Sequence, residues 1–137
     1  MKAAQPTKGF SVSDVRLVRC AFSRLKPEDR DGARSVKSTI TPSAPTAIVG
    51  GISFSMDLVV RAQGFLDETP MWVCETVFGA IFNVEPGADV TPDDVAAVHG
   101  PALLYGFARE HVFDLARRAG INGAFLPPLN FMKSNDG

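Results

Sequence analysis

The side chains best suited to chemistry in this chain are its two histidines, His99 and His111. An imidazole acts as a general base or a metal ligand only when a second titratable or ligating group lies within reach. His111 falls inside a predicted long helix next to Glu110, and no partner is evident at helical spacing or on a separate element. His99 falls at a predicted helix end, where an imidazole interacts favourably with the helix dipole. We therefore interpret both histidines as structural.

A second pair, Cys74 and Glu75, lies within a predicted strand. Adjacent residues of a strand point to opposite faces, so this thiol and carboxylate cannot act together as nucleophile and base. The other cysteine, Cys20, is too distant in sequence to suggest a metal motif or a disulfide framework. Both cysteines lie in apolar runs, where a free thiol usually packs as a small hydrophobic side chain.

Two further motifs carry no specific chemical signal. Gly50-Gly51 precedes a strand rather than a helix, which is the wrong context for a phosphate-binding loop. Asp93-Asp94 cannot be distinguished from the acidic first turn of a helix. The sequence therefore predicts no metal, no cofactor and no catalysis.

Three predicted strands hold many of these residues. Residues 12–25 are rich in Val, Leu and Phe between arginines, and residues 52–63 alternate apolar and polar side chains. Residues 71–84 are apolar on both faces except around Glu75, so this strand needs a cover on each side. A turn within residues 64–70 separates the second and third strands, which makes them antiparallel neighbours.

Helices follow the strands. Thr91 is predicted as the N-cap of a short helix over residues 92–99, with proline and acidic residues in its first turn. Gly100-Pro101 starts a longer helix that is expected to reach Ala119 and to end at Gly120 in the left-handed conformation. One stripe of this helix is apolar, formed by Leu104, Ala108, Val112, Leu115 and Ala119.

This element order indicates one α+β domain over residues 1–137, in which an antiparallel β-sheet packs one face against a long helix. We expect an N-terminal extension over residues 1–11 and a short polar tail over residues 132–137. Residues 26–46 lack apolar periodicity and contain Pro, Gly and charged residues, so a long crossover loop is expected there. Loops of that length in a small domain are usually functional. A fourth strand could arise from this loop or by division of residues 48–65.

Composition excludes several classes of protein. The chain has ten phenylalanines but only one tryptophan and one tyrosine. Phenylalanine brings apolar area without a hydrogen-bonding group, so these rings must be buried or must form a sticky surface. No apolar run is long enough for a membrane span, and the start lacks the apolar region of a secretory signal, so a cytoplasmic protein is expected. Residues 1–40 are basic, but acids are scattered among them, which indicates a solvated surface rather than a nucleic-acid site.

A longer pattern resembles a known family. It consists of the strand Trp72-Val-Cys-Glu-Thr-Val-Phe-Gly-Ala-Ile-Phe82, the helix Leu104-Tyr-Gly-Phe-Ala-Arg-Glu-His111 and the segment Leu126-Pro-Pro-Leu-Asn-Phe131. These are similar to the Leu-Cys-Glu-Val…Gly-Ile-Phe strand, the Phe-Pro-Tyr-Ala-Arg-Glu helix and the Leu-Ala-Pro-Val-Asn-Phe segment of SecB export chaperones. Ala108-Arg109-Glu110 and Asn130-Phe131 match most sharply, and the resemblance covers residues 50–131.

The resemblance implies an ATP-independent holdase that binds non-native polypeptides. In the family, four strands form an antiparallel sheet, monomers pair through strands and helices, and two dimers make a homotetramer. The implied clients are unfolded polypeptides in protein export or an antitoxin in a toxin–antitoxin system. An open apolar channel can hold such segments without sequence specificity.

The resemblance also implies three sets of site residues. The client-binding groove is formed by the crossover loop and the segment after the long helix, here Ile40, Ile48, Val49, Ile121, Phe125, Leu126, Leu129 and Phe131. For the aromatic and aliphatic residues of that last segment, ordinary core packing is the alternative. The oligomer interface corresponds to Cys74, Thr76, Phe78, Leu104, Ala108 and Val112. The contact with the SecA motor corresponds to Val73 and Glu75.

Two departures distinguish this sequence from the family pattern. The family continues after Asn-Phe with a helix that flanks the groove and an acidic tail that binds the motor, whereas this sequence ends at Gly137. Phe125 and Phe131 are therefore expected to be less covered. The first strand of the family presents acids to SecA, but the nearest positions here are Cys20 and Arg24. A basic strand repels a partner that recognises acids, so SecA docking is disfavoured and a dedicated chaperone role is favoured slightly over general export.

The alternative from another class is a small-molecule-binding or enzymatic α+β domain. It predicts one enclosed pocket with converging polar groups, and an activity that His99 or His111 supports. A structural oligomer without clients is a third reading, which predicts assembly without client protection.

Overall fold

A computed structural model describes residues 9–25, 35–47, 53–121 and 124–129 of the chain. Its strands are β1 (Phe10–Arg24), β2 (Ser35–Pro42), β3 (Thr46–Ala47), β4 (Ser53–Leu66) and β5 (Thr69–Val84). A helical region follows, composed of α1 (Pro92–Asp94), a π-helical segment (Val95–His99) and α2 (Gly100–Arg118). Strands that precede helices, with α2 packed on one face of the sheet, confirm the predicted α+β class.

The strands form one antiparallel sheet in the order β1-β5-β4-β2, and β3 pairs with β4 beyond the end of β2. β4 and β5 form a long hairpin whose turn is Asp67-Glu68, with Asp67 at a φ of 55°. β1 pairs with β5 along its whole length, and two irregularities interrupt that ladder. Within the described ranges, β1 and β2 are therefore the edge strands.

Strand β2 lies in the segment predicted as a crossover loop. The prediction of a loop over residues 26–46 was wrong for residues 35–42 and for Thr46, which pair with β4. The strand was hidden in the sequence because its inward side is half polar, with Ser38 between Val36 and Ile40. Hydrogen bonds to β4 support such a strand, and the sheet edge tolerates the proline at its end. The fourth strand anticipated from the loop is this one.

The N-terminal boundary also differs from the prediction. β1 starts at Phe10, so residues 10–11 belong to the sheet and not to an N-terminal extension. Phe10 pairs with Val84 and its ring lies 6.2 Å from that of Phe82, which explains why the strand begins there. Residues 1–8 and the predicted tail over residues 132–137 lie outside the described residues.

The helical region starts as its sequence predicts. The Thr91 hydroxyl accepts a hydrogen bond from the backbone N–H of Asp94 at 3.0 Å. The Asp94 carboxylate in turn accepts from the Thr91 N–H at 3.3 Å, which completes a capping box. These bonds satisfy donors that the first turn would otherwise leave unpaired.

The predicted break between two helices does not occur. The chain keeps helical dihedrals through His99 and Gly100, at φ/ψ of −70°/−41° and −64°/−53°. Pro101 has no N–H to donate to the preceding turn, and the chain accommodates it by widening that turn, so that the Gly100 N–H donates to the Val95 carbonyl. Gly120, with a φ of 84°, ends α2 in the left-handed conformation that the sequence predicts.

The core lies between α2 and one face of the sheet, which we term the inner face. Alternate residues of β4 and β5 point into it, and the apolar stripe of α2 meets them. Its main members are Phe54, Met56, Leu58, Val60, Trp72, Cys74, Phe78, Phe82, Leu104, Ala108, Val112 and Ala116. The opposite, outer face carries the residues between them, including Val73, Glu75 and Arg61.

Candidate functional site

The segment after α2, residues 124–129, runs along the helix without regular secondary structure. Two helix side chains hold it by its backbone carbonyls. The Tyr105 hydroxyl donates to the Pro127 carbonyl, and Arg109 Nε donates to the Leu126 carbonyl at 3.1 Å. The Arg109 guanidinium also lies 5.7 Å from the centre of the Tyr105 ring. The two side chains that hold this segment thus brace each other.

Buried and exposed side chains alternate over residues 124–127, and residues 128–129 are exposed. Ala124 and Leu126 are each only 2% exposed and act as anchors in the core. Phe125 between them is 66% exposed, and Leu129 is 44% exposed. The Phe125 ring stacks on Phe113 of α2 with ring centroids 4.8 Å apart. We term Phe113, Phe125 and Leu129 the apolar strip.

Edge strand β2 reaches the same region through Tyr105. This tyrosine is hydrogen-bonded to the Ser38 side chain as well as to Pro127. Burial raises the pKa of the Tyr105 phenol above its ordinary value, so the hydroxyl stays protonated and can donate. Ile40, two residues along β2 on the same face, is half-buried against the core.

The structure places the predicted groove residues in different environments. Ile121 and Leu126 are buried at 1% and 2% exposure, Ile40 is half-buried, and Phe125 and Leu129 are exposed. The core-packing alternative therefore holds for some members and not for others. Ile48, Val49 and Phe131 lie outside the described residues, and the groove assignment as a set stays a prediction.

Sequence reasoning missed Phe113 as part of this region. Its position beside the apolar stripe of α2 was visible, but no sequence pattern shows that the following segment folds back onto that side. The same is true of Arg109, which belonged to the sharpest sequence match without an assigned role. Both residues take their importance from the return of residues 124–129 along α2.

The six predicted interface residues lie inside a single chain. Cys74, Thr76, Phe78, Leu104, Ala108 and Val112 are all at most 9% exposed, in the layer between the sheet and α2. Packing within one chain accounts for their burial, and their contact with a second subunit stays a prediction. Their exposed neighbours are Leu17 (41%), which pairs with Phe78, and Phe107 (40%), which stacks on Phe78 at 6.0 Å. We term Leu17 and Phe107 the β1–α2 patch.

The two histidines lie in aromatic surroundings. His99 is 5.5 Å from the Phe10 ring, and His111 meets Phe78 edge-on at 5.6 Å. His111 Nε2 is buried and has no hydrogen-bond partner in the part of the chain that the structure describes. Across that same part, no group of three His, Cys, Asp or Glu side chains could hold a metal ion.

Cys74 and Glu75 point to opposite faces of the sheet, as their adjacency predicts. Cys74 is buried on the inner face, where desolvation raises the pKa of its thiol. Glu75 lies on the outer face between two arginines. Arg61 Nε donates to its Oε2 at 2.7 Å and Arg19 Nε to its Oε1 at 2.9 Å. The hydrogen bonds from Arg61 and then Arg19 hold the pKa of Glu75 below its ordinary value of 4.5.

The residues predicted to contact SecA, Val73 and Glu75, therefore share the outer face but not an acidic environment. Each oxygen of the Glu75 carboxylate pairs with one arginine, so two positive charges face one negative charge. In the described ranges, no helix is long and apolar enough to cross a membrane.

Together, a sheet covered on one face by a long helix and an apolar segment returning along that helix define an α+β protein of the SecB type. The family model described as preprotein translocase subunit SecB matches residues 40–134 of the chain. The chain belongs to the SecB family.

Individual relatives agree with this assignment. The protein-export protein SecB of Chromobacterium violaceum is 35% identical over 80 residues, which are 57% of this chain and 52% of that protein. The SecB of a Caulobacter species is 28% identical over 122 residues, covering 80% of this chain and 70% of the relative. The chain spans about half the length of several curated relatives that it matches.

A solved structure shares the fold. The SecB-like chaperone of Mycobacterium tuberculosis, in complex with a ChAD peptide from the HigA1 antitoxin, superposes with a TM-score of 0.69 at 20% sequence identity. The superposition covers 89% of this chain and 88% of that one.

Proposed function

We propose that this protein is an ATP-independent holdase that binds non-native polypeptide segments along α2 and residues 124–129. The observation that carries the proposal is the apolar strip, in which a two-thirds exposed Phe125 stacks on Phe113. An exposed ring that stacks on a second ring forms contiguous apolar surface, which usually marks an interaction site. Membership of the SecB family supports the same function.

The physical properties of the site suit an unfolded client. Such a chain offers apolar side chains and unpaired backbone groups, and both have counterparts here. The rings of the apolar strip offer apolar contact. The N–H group of the exposed Phe125 donates no backbone hydrogen bond in the described part of the chain, so an extended client could accept from it.

Two kinds of client fit this proposal. Curated relatives are protein-export proteins, and the SecB-like chaperone of similar fold was solved with an antitoxin peptide. We favour a dedicated client over general export, because Glu75 lies in a basic setting that opposes docking to an acid-recognising motor such as SecA. Val73 and Glu75 remain the positions at which such a motor would be tested.

We further propose that the protein assembles as a homotetramer, a dimer of dimers, that acts in the cytoplasm. The β1–α2 patch is the exposed apolar surface next to the six predicted interface residues, and it supports assembly there. Several client sites in one assembly increase avidity through effective concentration. Both described cysteines are free thiols, which suits a reducing compartment.

Aggregation of a reduced, unfolded reporter protein such as α-lactalbumin tests the holdase. Wild-type protein is expected to suppress light scattering at a ratio near one tetramer per client. Phe125→Ser should require about fivefold more protein, because it removes the central ring of the apolar strip. Its free energy of unfolding should fall by no more than about 1.5 kcal/mol, the value of one aromatic pair.

Leu25→Ser is the matched control, since Leu25 is also exposed (43%) but follows the end of β1 and does not belong to the apolar strip. It should suppress aggregation like the wild type. Equal activity of Phe125→Ser and the wild type would overturn the proposed site, and no suppression by the wild type would overturn the function.

The enzymatic or small-molecule alternative is not favoured by a specific observation. Cys74 and Glu75 are separated by the sheet, and the ring neighbours described for His99 and His111 are other aromatic rings. We propose no catalytic role. Replacement of both histidines by alanine should leave client holding intact in protein that still folds.

A further inference from the structure

The outer face of the sheet carries a cluster of charged residues that the proposed holdase does not use. The register places Arg61 directly opposite Glu75 on the neighbouring strand, and Lys37 directly opposite Gln63 one pair further along. Arg19 reaches Glu75 from β1 on the other side. Two cations therefore bind one carboxylate on a face that α2 does not cover. Lys37, whose ammonium lies 5.0 Å from the centre of the Phe65 ring, adds a third positive charge on the same face.

The arginines use only part of their hydrogen-bonding capacity on Glu75. Each donates through its Nε alone, at 2.9 Å from Arg19 and 2.7 Å from Arg61. Their terminal Nη groups have no acceptor in the described part of the chain, and the two side chains remain 63% and 57% exposed. A guanidinium has five N–H donors in a planar fork, so four remain on each. Glu75 thus orients the guanidinium groups of Arg19 and Arg61 and leaves their Nη groups open to solvent.

A concavity of about 400 Å³ lies beside this pair. Its lining includes the charged residues Arg61, Lys37 and Glu75 and the polar residues Ser23, Thr39 and Gln63. Hydroxyl, amide and ammonium donors therefore line a hollow next to the open guanidinium forks. Planar guanidinium groups recognise carboxylates with two parallel hydrogen bonds, which gives geometric specificity as well as attraction.

We propose that this outer face docks an acidic polypeptide segment, whose Asp or Glu side chains bind Arg19, Arg61 and Lys37. Charge complementarity selects the partner, because within this cluster Arg19, Arg61 and Lys37 outnumber Glu75. Glu75 acts as a positioning residue that holds the two arginines ready. The surface lies on the side of the sheet opposite to α2 and the apolar strip. A client in the groove and an acidic partner on the outer face can therefore bind together.

Fluorescence anisotropy with a labelled peptide of alternating Glu and Gly tests the proposal in the full-length protein. The wild type should bind this peptide and not its Gln/Gly counterpart, and binding should weaken with salt. Arg19→Gln with Arg61→Gln should weaken binding by about tenfold. The same double variant should still suppress aggregation of an unfolded client, so failure here is distinguishable from failure of the holdase.

The control changes net charge equally at arginines of matched exposure. Arg16→Gln with Arg117→Gln replaces side chains that are 57% and 65% exposed and paired with Asp14 and Asp114. It should bind the acidic peptide like the wild type. An equal loss in both double variants would show general charge attraction and would overturn the proposal. Equally tight binding of a DNA oligonucleotide of the same charge, insensitive to the Arg19 and Arg61 changes, would overturn it too.

Discussion

The sequence predicts the orientation of the Glu75 side chain but not the charge of its surroundings. Its orientation to the outer face follows from strand alternation alone. Its environment does not, because Arg19 and Arg61 reach it from two other strands. A position that resembles an acidic contact site is thereby converted into the centre of a basic surface.

The same arrangement makes stability depend on pH. The folded-state pKa of Glu75 is lowered, first by Arg61 and then by Arg19, so the unfolded chain binds more protons below pH 4.5. The contribution of the ionised carboxylate is fully present above pH 4.5 and is lost as pH falls through the folded-state pKa. Glu75→Gln should therefore lower the melting temperature at neutral pH, and its difference from the wild type should shrink in acid.

Thermal unfolding of both proteins at a series of pH values measures this difference. Salt should reduce it at neutral pH, since the pairs are partly exposed. Asp67→Asn is the wrong control because its φ is positive. Glu68→Gln, on an exposed residue of the β4–β5 turn, is the suitable one, because it removes the same charge and leaves the hydrogen bonds of Arg19 and Arg61 to Glu75 in place. A constant offset for Glu75→Gln from neutral to acidic pH would contradict the linkage.

At the scale of elements, the π-helical segment before α2 solves a local conflict. Pro101 cannot donate a backbone hydrogen bond, yet the chain must stay helical to bring Leu104 over the sheet. The helical turn widens at Val95–His99, so that Gly100, the last residue before Pro101 with an N–H group, donates its backbone hydrogen bond to the Val95 carbonyl. Gly100 itself is pressed against Met56 and Phe82 of the sheet. The junction therefore depends on a residue without a side chain.

Gly100→Ala should destabilise the protein by about 1–3 kcal/mol, the usual cost of overpacking. A Cβ at this position would lie 2.9 Å from the Val95 carbonyl oxygen and 3.0 Å from Met56 Sδ. Gly106→Ala in the same helix is the matched control, since a Cβ there meets nothing within 4 Å. That change should stabilise by up to about 1 kcal/mol, through helix propensity. Urea denaturation measures both, and similar effects at the two glycines would refute the packing argument.

Elements with a clear pattern of apolar residues could be predicted from the sequence. Elements whose conformation depends on pairing or packing with another element could not. β4 alternates and β5 is continuously apolar, so both followed from sequence, as did the capping box at Thr91 and the left-handed Gly120. β2 did not, because it owes its conformation to the ladder with β4 rather than to its own side chains. The helix break was expected from the proline, but tertiary contacts at Gly100 override that local rule.

The candidate site was predictable only in part, for the same reason. Residues 124–129 are all apolar or proline, so the sequence does not reveal which of their side chains are buried, and the segment has no sheet partner that would set this. The anchors Tyr105 and Arg109 decide this by holding the Leu126 and Pro127 carbonyls. Phe125 is exposed as a consequence, whereas Leu126 joins the core.

At the scale of the whole molecule, one chain leaves apolar surface on two sides. The apolar strip lies along one side of α2, and the β1–α2 patch adjoins Phe78 at the edge strand. Contiguous exposed apolar surface usually marks an interaction site. We assign the first to clients and the second to a further copy of the chain, because an open sheet edge invites pairing.

Leu17→Lys should therefore shift the proposed tetramer towards dimer or monomer. A charge on an edge strand opposes association, while the 41% exposure of Leu17 means that the single chain should still fold. Native mass spectrometry reports the stoichiometry, and circular dichroism checks the fold. Leu129→Lys places the same charge on the apolar strip and should leave the tetramer intact. A wild-type monomer, or a tetramer that survives Leu17→Lys, would contradict the assignment.

The sheet order also dictates when each strand can be completed. β4 and β5 are joined by a short turn, so their hairpin forms from residues that are made one after the other. β1 pairs only with β5, linking Arg24 to Trp72 and Phe10 to Val84, and such distant pairing is slow. The strand that carries Leu17 and Val18 therefore leaves the ribosome early and stays unpaired until β5 has been synthesised. During that interval the nascent chain exposes the same kind of unpaired apolar segment that the proposed holdase would bind.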